Sequence, residues 1–246
     1  MTIQPDGSMK AILKTASFAL TAVMMLLVSC GGDNTPREKQ IDLNVPGAAQ
    51  RSNRDSTIEQ DTSVTDTAAI THTAELRTTA GVITLGLFGN DAPLTVTNFI
   101  KLAESKYYDG VLFHRVAKGF VIQAGDPFTK DSTKRAAWGT GGNTYTMKPL
   151  PDETNPESKA MKQGYSPGIL AMANKMQPNT GTSQFFICLD AAGDLAQQFS
   201  IFGKVLRGMD AVKKIEQGEA DENDGTGQTP KNPVRIISIR IQKSIP

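Results

Sequence analysis

Residues 113–126 carry the side chains with the clearest chemical potential in this chain. Arg115 and Gln123 stand among apolar residues on two short predicted strands that a tight turn joins. Strand alternation places Phe113 and Arg115 on one face and His114 on the other. Arginine is a permanently charged hydrogen-bond donor, but an arginine in a strand is, taken alone, most simply interpreted as a surface side chain.

The signatures of other chemistries are missing from the sequence. Residues 181–185 lack the second glycine of a nucleophile elbow. Residues 139–142 lack the following Lys-Ser/Thr of a phosphate loop and are interpreted as a glycine-rich turn. No carboxylate pair stands out for acid–base work, and the two histidines and two cysteines form no zinc pattern. The sequence therefore implies neither a metal nor another cofactor.

A second block, residues 168–174 followed by residues 178–187, extends the pattern about 60 residues further along the chain. The two blocks, in this order and at this separation, resemble the signature of the cyclophilins, a family of peptidyl-prolyl cis-trans isomerases. The resemblance covers roughly 170 of the 246 residues, from about residue 74 onward. It implies an enzyme whose substrates are proline-containing polypeptides.

Isomerisation of an X–Pro bond needs no nucleophile. The barrier is the lost amide resonance, about 18–20 kcal/mol, and in the twisted transition state the prolyl nitrogen carries a free lone pair. A fixed donor aimed at that lone pair stabilises the transition state more than the planar ground state. The resemblance implies this role for Arg115, whose counterpart bonds the carbonyl and the imide nitrogen of the proline.

The resemblance also implies which side chains surround the substrate. Phe120 and Gln123 join Arg115 as catalytic residues, with Gln123 and Gln184 bonding the substrate backbone. The proline ring is expected in an apolar seat, and Ala173 and Asn174 are expected along the adjoining groove. The complete set of predicted substrate-binding residues is Val121, Ala173, Asn174, Gln184, Phe186, Leu195 and Phe199.

Two positions depart from the family pattern. Asp194 aligns with a familiar tryptophan beside the pocket leucine, and Phe199 aligns with a familiar histidine. Catalysis on small peptides is still expected, whereas the affinity for bulky peptides is placed in doubt. Cys188 alternates away from the neighbour of Phe186 on the same predicted strand and is interpreted as a buried free thiol.

The first thirty residues have the pattern of an export signal. Lys10 and Lys14 precede an apolar run from residue 16 to residue 28, which is too short to span a bilayer comfortably. Residues 27–30, Leu-Val-Ser-Cys, resemble the bacterial lipobox. We therefore expect a signal peptide over residues 1–29, with its start at Met1 or Met9, and lipidation of Cys30. Such a protein belongs in the bacterial cell envelope, held to a membrane by the lipid.

Residues 30–72 contain the lipidated cysteine followed by a polar stretch with few large apolar side chains. Such a stretch cannot bury enough surface to offset its ordering entropy. We expect a disordered tether whose mean reach is on the order of 40 Å. The net charge of the chain is +1, so neither a nucleic-acid partner nor an acidic tail is indicated, and a monomer is expected.

Residues 73–246 form the predicted isomerase domain, which is expected to be mainly β. Strands are predicted around a turn at Ala80-Gly81, a helix is predicted to open near Pro93, and a second helix runs from about residue 209 to residue 217. Residues 234–241 alternate as a final strand. The pattern and the resemblance together predict a closed eight-stranded antiparallel barrel capped by two helices, with its active face on the outside.

Two other functions stay open at this stage. One is a peptide-binding module without catalysis, which the altered loop of residues 191–199 favours. The other is a lipoprotein that uses the domain as a scaffold. The set of Arg115, Phe120, Gln123 and Phe186 favours an enzyme that isomerises X–Pro bonds in exported proteins.

Overall fold

The computed structural model describes residues 68–195 and 197–243; for Asp194 and Asn223 it describes the backbone only. The strands and helices follow in chain order: β1 His72–Thr78, β2 Gly81–Leu87, α1 Pro93–Glu104, β3 Arg115–Ala117, β4 Val121–Ala124, α2 Lys159–Lys162, β5 Ile169–Met172, β6 Phe185–Cys188, β7 Ile201–Arg207, α3 Met209–Glu216 and β8 Ile236–Lys243. The prediction of a mainly β domain with eight strands is confirmed. The signal peptide, Cys30 and nearly all of the tether lie outside the described residues.

The eight strands form one antiparallel sheet in the order β3-β4-β6-β5-β7-β2-β1-β8. Its ends, β3 and β8, form no strand-to-strand ladder in the described part of the chain. The segment before β3 instead meets the chain around the start of β8, at a Leu112–Arg235 bridge and through the Phe113 N–H, which donates to the Val234 carbonyl at 2.9 Å. Ile236 of β8 also bonds this segment, since its carbonyl accepts from the Gly110 N–H and its N–H donates to the Val111 carbonyl, both at 2.8 Å. The predicted closed barrel is therefore wrong in one respect, because the sheet is a curled, open half-barrel.

The short length of β3 explains the opening. β3 has three residues, and the N–H of Val116 at its middle donates to the Gln228 carbonyl at 2.7 Å. A loop thus occupies the hydrogen-bonding edge that β8 would need for closure.

Two layers of apolar side chains pack against the sheet. Along β6, Phe185 and Ile187 belong to the larger cluster inside the curl, whereas Phe186 and Cys188 belong to a smaller cluster on the opposite face. This alternation follows from the period of two in a strand. The inner cluster includes Phe99 of α1, whose ring centroid lies 5.4 Å from that of Phe202 and 5.6 Å from that of Phe185. The interior is thus filled with side chains, and a binding site must lie on the outer face.

Helix α1 depends on a distant side chain for its N-terminus. Pro93 opens the helix as the sequence predicts, but Ala92 offers no side-chain cap. The carboxylate of Glu153 accepts instead from the N–H groups of Leu94 and Thr95, at 2.9 and 2.8 Å. A negative group there satisfies two orphan donors and complements the helix dipole. The long loop that carries Glu153 is thereby fixed to the helix.

The predicted pair of helices corresponds to α1 and α3, and the single turn α2 was not predicted. Within the described ranges, no helix is long and apolar enough to cross a membrane.

Candidate active site

The β3–β4 hairpin positions the centre of the site. Arg115 lies directly opposite Gln123 in the antiparallel register, and the turn between the strands is closed by the Phe120 N–H, which donates to the Ala117 carbonyl at 3.0 Å. Gly119 takes a left-handed φ of +69° in this turn, a conformation that favours glycine. Because side chains alternate, Val121 and Gln123 share the outer face with Phe186 of the neighbouring strand β6.

An apolar cavity of about 440 Å³ opens beside this hairpin. It is bounded by nine of the ten residues predicted around the substrate and by Met176, which the sequence analysis did not select. The lining residues are Arg115, Phe120, Val121, Gln123, Ala173, Asn174, Met176, Phe186, Leu195 and Phe199. The structure thus brings together side chains from five separate stretches of the chain.

Phe199 forms a fixed wall of the cavity. Its ring meets Phe186 edge-on at 5.4 Å between centroids. Its backbone is held twice by the Tyr165 hydroxyl, which donates to the Phe199 carbonyl at 2.8 Å and accepts from its N–H at 3.0 Å. Burial raises the pKa of Tyr165, so the hydroxyl keeps its proton at neutral pH. The departure from a family histidine at Phe199 therefore yields an ordered aromatic surface.

Arg115 is held by two amide side chains. Its Nε donates to Oε1 of Gln228 at 2.7 Å, and its Nη1 donates to Oε1 of Gln123 at 3.2 Å. Partial burial lowers the pKa of Arg115, but a guanidinium remains charged in proteins. Gln228 is the one partner that the sequence analysis missed, since it lies in a turn-rich segment with no pattern that points to Arg115.

The amide contacts continue away from Arg115. Gln123 Nε2 donates to Gln184 Oε1 at 2.9 Å, and Gln184 Nε2 donates to the carbonyls of Gly139 and Gly141 at 2.9 and 2.6 Å. Gln184 is only 8% exposed and does not line the 440 Å³ cavity. Its predicted contact with the substrate backbone stays a prediction, whereas its contact with the glycine-rich loop is observed.

The glycine-rich loop is anchored by a second buried group. The carboxylate of Asp126, which is fully buried, accepts from the N–H groups of Gly139, Gly141 and Phe128. A carboxylate that accepts several N–H bonds is well stabilised in a buried place. The loop is therefore a rigid border of the site, in keeping with its interpretation as a glycine-rich turn.

Two further cavities flank the first. One of about 410 Å³ shares Gln123, Ala173 and Asn174 with it, and one of about 690 Å³ shares Arg115 and Gln123. Asn174 is held in place through its side chain, which donates from Nδ2 to the Gln198 carbonyl at 2.9 Å. Ala173 and Asn174 thus line the 410 Å³ cavity as well, and their predicted contact with a substrate stays a prediction. The three cavities adjoin one another at Gln123, which lines all of them.

Two predicted features fall where the structure gives no side chain. The Asp194 side chain and Cys30 lie outside the described residues, so their predicted roles stay predictions. Cys188 is a buried free cysteine, as predicted, and burial raises the pKa of its thiol to about 12. The thiol is therefore protonated at neutral pH and unreactive.

Fold and site together define a set of adjoining cavities on a curled sheet, with an apolar cavity next to a fixed guanidinium. The family model described as cyclophilin type peptidyl-prolyl cis-trans isomerase/CLD matches residues 73–241. The chain is 36% identical over 166 residues to peptidyl-prolyl cis-trans isomerase CYP18-2 of Arabidopsis thaliana, covering 68% of this chain and 91% of that one. The chain belongs to the cyclophilin-type peptidyl-prolyl cis-trans isomerases, and the predicted enzyme class is confirmed.

Other relatives are similar over the same region. Peptidyl-prolyl cis-trans isomerase 9 of Schizosaccharomyces pombe is 40% identical over 166 residues, which are 68% of this chain but only 24% of that protein. This chain therefore spans about a quarter of that relative's length. A crystal structure of a cyclophilin type isomerase from Cryptosporidium parvum superposes with a TM-score of 0.61 at 30% identity, covering 72% of this chain and 100% of that chain. The same parasite isomerase has a structure in the presence of the dipeptide Ala-Pro, with a TM-score of 0.60 at 30% identity, covering 70% of this chain and 99% of that chain.

Proposed function

We propose that this protein accelerates X–Pro isomerisation in exported polypeptides without a covalent step, with Arg115 as the donor to the prolyl nitrogen. The observation that carries this proposal is the position of Arg115, which two amide oxygens hold at the wall of the 440 Å³ apolar cavity. A preorganised donor in a partly dry site stabilises developing charge more than a mobile one does.

The apolar cavity supplies the other half of the mechanism. When a proline ring packs against Phe120, Phe186 and Leu195, the X–Pro amide next to it is removed from water. The planar form of that amide is charge-separated and loses favourable solvation there. The twisted amide has less charge separation, so this environment favours it over the planar form. The Ala-Pro complex of the Cryptosporidium parvum relative supports proline-containing peptides as the substrate class.

The test is the cis–trans exchange rate of a proline tetrapeptide, measured with the full chain by exchange NMR or in a protease-coupled assay. We expect exchange in far less than the tens of seconds that the uncatalysed reaction takes. Tight peptide binding without faster exchange contradicts this proposal and identifies the chain as a peptide-binding module.

We further propose that the enzyme works in the bacterial cell envelope, anchored by lipid on Cys30 with residues 1–29 removed. The support is the sequence alone: a charged start, a short apolar run and Leu-Val-Ser-Cys at residues 27–30. The relatives compared above are eukaryotic, so the envelope location does not come from them. A monomer on a tether reaches emerging chains whose slow X–Pro isomerisation limits folding.

Fractionation of the full chain expressed in a bacterium tests the anchor. We expect the wild type in the membrane fraction, and Cys30→Ser as an uncleaved or soluble protein. Cys188→Ala removes the other cysteine of the chain and is the matched control, expected to fractionate like the wild type. A wild type that is fully soluble contradicts the anchor without bearing on the isomerase activity.

A further inference from the structure

The shortest side-chain contact of Arg115 is made by a residue far away in the chain. Gln228 Oε1 lies 2.7 Å from Arg115 Nε, 113 residues apart in sequence, whereas Gln123 Oε1 lies 3.2 Å from Arg115 Nη1. Arginine can only donate, so each glutamine must present its carbonyl oxygen to it, which fixes both amide orientations. The guanidinium is therefore bound on two different nitrogens by two separate elements, the strand β4 and the loop of residues 221–231.

Two bonds on different nitrogens fix more than the position of a guanidinium. A single bond lets the plane rotate about the bond axis, whereas a second bond at Nη1 also sets the orientation of the plane. Of the five N–H donors of arginine, three remain for other partners. A free arginine side chain samples many rotamers, so the second bond reduces the share of conformers that point elsewhere.

We propose that Gln228 is a positioning residue for catalysis, which orients the Arg115 guanidinium toward the prolyl nitrogen. This inference rests on the proposed role of Arg115 as the donor. Gln228 borders the 690 Å³ cavity, which Arg115 also lines, and does not line the 440 Å³ apolar cavity. It therefore acts through Arg115 rather than by contact with the proline ring.

The loop that carries Gln228 is ordered by its own contacts. The carboxylate of Asp224 accepts from the backbone N–H groups of Thr226, Gly227 and Thr229, at 2.8, 2.6 and 2.8 Å. Hydrogen bonds with Thr229 first, and then with Thr226 and Gly227, lower the pKa of Asp224. The turn is thus stable at neutral pH, and Gln228 is held in place before a substrate arrives.

The same loop is attached to the rest of the domain at two points. At the first point Arg135 forms a salt bridge with Asp221 at 2.9 Å and donates to the Pro230 carbonyl at 3.1 Å. At the other point the Gln228 carbonyl accepts from Val116 of β3 at 2.7 Å. This second bond uses the backbone of Gln228, so substituting its side chain leaves the attachment of the loop intact. The structural and the positioning roles of this residue can therefore be separated.

The kinetic test uses Gln228→Ala, Gln228→Glu and the control Gln242→Ala, which changes an exposed glutamine on β8. All variants are made in the full chain. A misplaced donor costs rate rather than binding, so we expect Gln228→Ala to lower kcat about tenfold while KM changes less than about twofold. Glutamate keeps an acceptor oxygen for Arg115 Nε, so Gln228→Glu should stay within about threefold of the wild type. The control should be unchanged.

A double-mutant cycle adds a readout that a purely structural role does not move. In an Arg115→Ala background, Gln228→Ala is expected to cause no further loss, because the group it orients is gone. An equal loss in both backgrounds overturns the inference. So does an unchanged kcat in the single variant.

An NMR measurement of the Arg115 Nε–H signal separates failure of this inference from failure of the proposed function. We expect Gln228→Ala to shift that signal and to speed its exchange with water, and Gln242→Ala to do neither. An unmoved signal overturns the contact itself. If the signal moves but the wild type does not accelerate isomerisation, the proposed function fails and the positioning role fails with it.

Discussion

Replacing Arg115 with alanine tests the proposed mechanism most directly. The variant removes the only guanidinium that lines the 440 Å³ cavity in the described part of the chain. Loss of one preorganised donor to a developing charge costs about 3–4 kcal/mol in transition-state binding. Since each 1.36 kcal/mol corresponds to about a factor of ten, kcat/KM should fall by roughly 100- to 1000-fold, and by at least about tenfold if water partly replaces the donor.

The same change should disturb folding much less. Arg115 is half-buried, and its removal leaves the Oε1 atoms of Gln123 and Gln228 facing cavities of about 440 and 690 Å³. Both cavities have room for water, which can bond to the freed oxygens. We therefore expect a stability loss of about 1 kcal/mol or less. Loss of activity at an almost unchanged melting temperature is the signature of a donor that acts in catalysis.

The assay compares kcat/KM on a proline tetrapeptide with thermal unfolding of the same samples. Arg77→Ala is the matched control, since Arg77 is an exposed arginine on β1, on a distant part of the sheet. It should retain the activity of the wild type. Near-wild-type turnover in Arg115→Ala refutes the mechanism, and a large drop in melting temperature shows that the residue is structural instead.

Two further predictions concern stability. Glu153→Ala should destabilise the domain by about 1–2 kcal/mol, because two N–H groups at the start of α1 lose their acceptor. The melting temperature should therefore fall clearly. The control Glu104→Ala removes an exposed pair with Lys101 at the other end of the helix and should change the melting temperature little. Equal shifts in the two variants contradict the capping role. Burial lowers the pKa of His114, while the Asp126 carboxylate opposes that shift and Arg115 adds to it. Below the unfolded pKa of about 6.5, His114 therefore takes up a proton more readily in the unfolded chain than in the folded one. Stability should thus be full above about pH 6.5 and fall as the pH drops further, with a shallower fall in His114→Gln, and parallel melting-temperature profiles of the two proteins refute this.

The sequence predicted well those elements whose signals are local. The turn at Ala80-Gly81, the start of α1 at Pro93 and the course of α3 follow from turn residues, proline placement and helical spacing, and each appears in the structure. The cavity residues came from the motif resemblance, because a motif fixes residues that act together even when strands from distant segments carry them. Their individual roles stay predictions.

Contacts between distant segments were not predictable in this way. Glu153 caps a helix 59 residues earlier, and Gln228 binds an arginine 113 residues earlier. Neither pair shares a periodic pattern or a motif. The open edge of the sheet has the same origin, since the Gln228 carbonyl that bonds Val116 of the short strand β3 comes from a distant loop. The spacing of residues along a chain does not predict such tertiary contacts, which form only when the fold brings distant loops together.

The antiparallel pairing of β1 with β8 delays the folding of this protein during its synthesis. His72 and Lys243 are register partners 171 positions apart, at the two ends of the described chain. At a synthesis rate of about 5–20 residues per second, roughly 9–34 s separate their appearance at the ribosome. During that interval β1 lacks one of its two neighbours, and such a long-range pairing is formed late and slowly. A nascent chain therefore stays open to aggregation or proteolysis until β8 has been made and has paired with β1, and removal of Ile236–Lys243 should lower the stability of the domain.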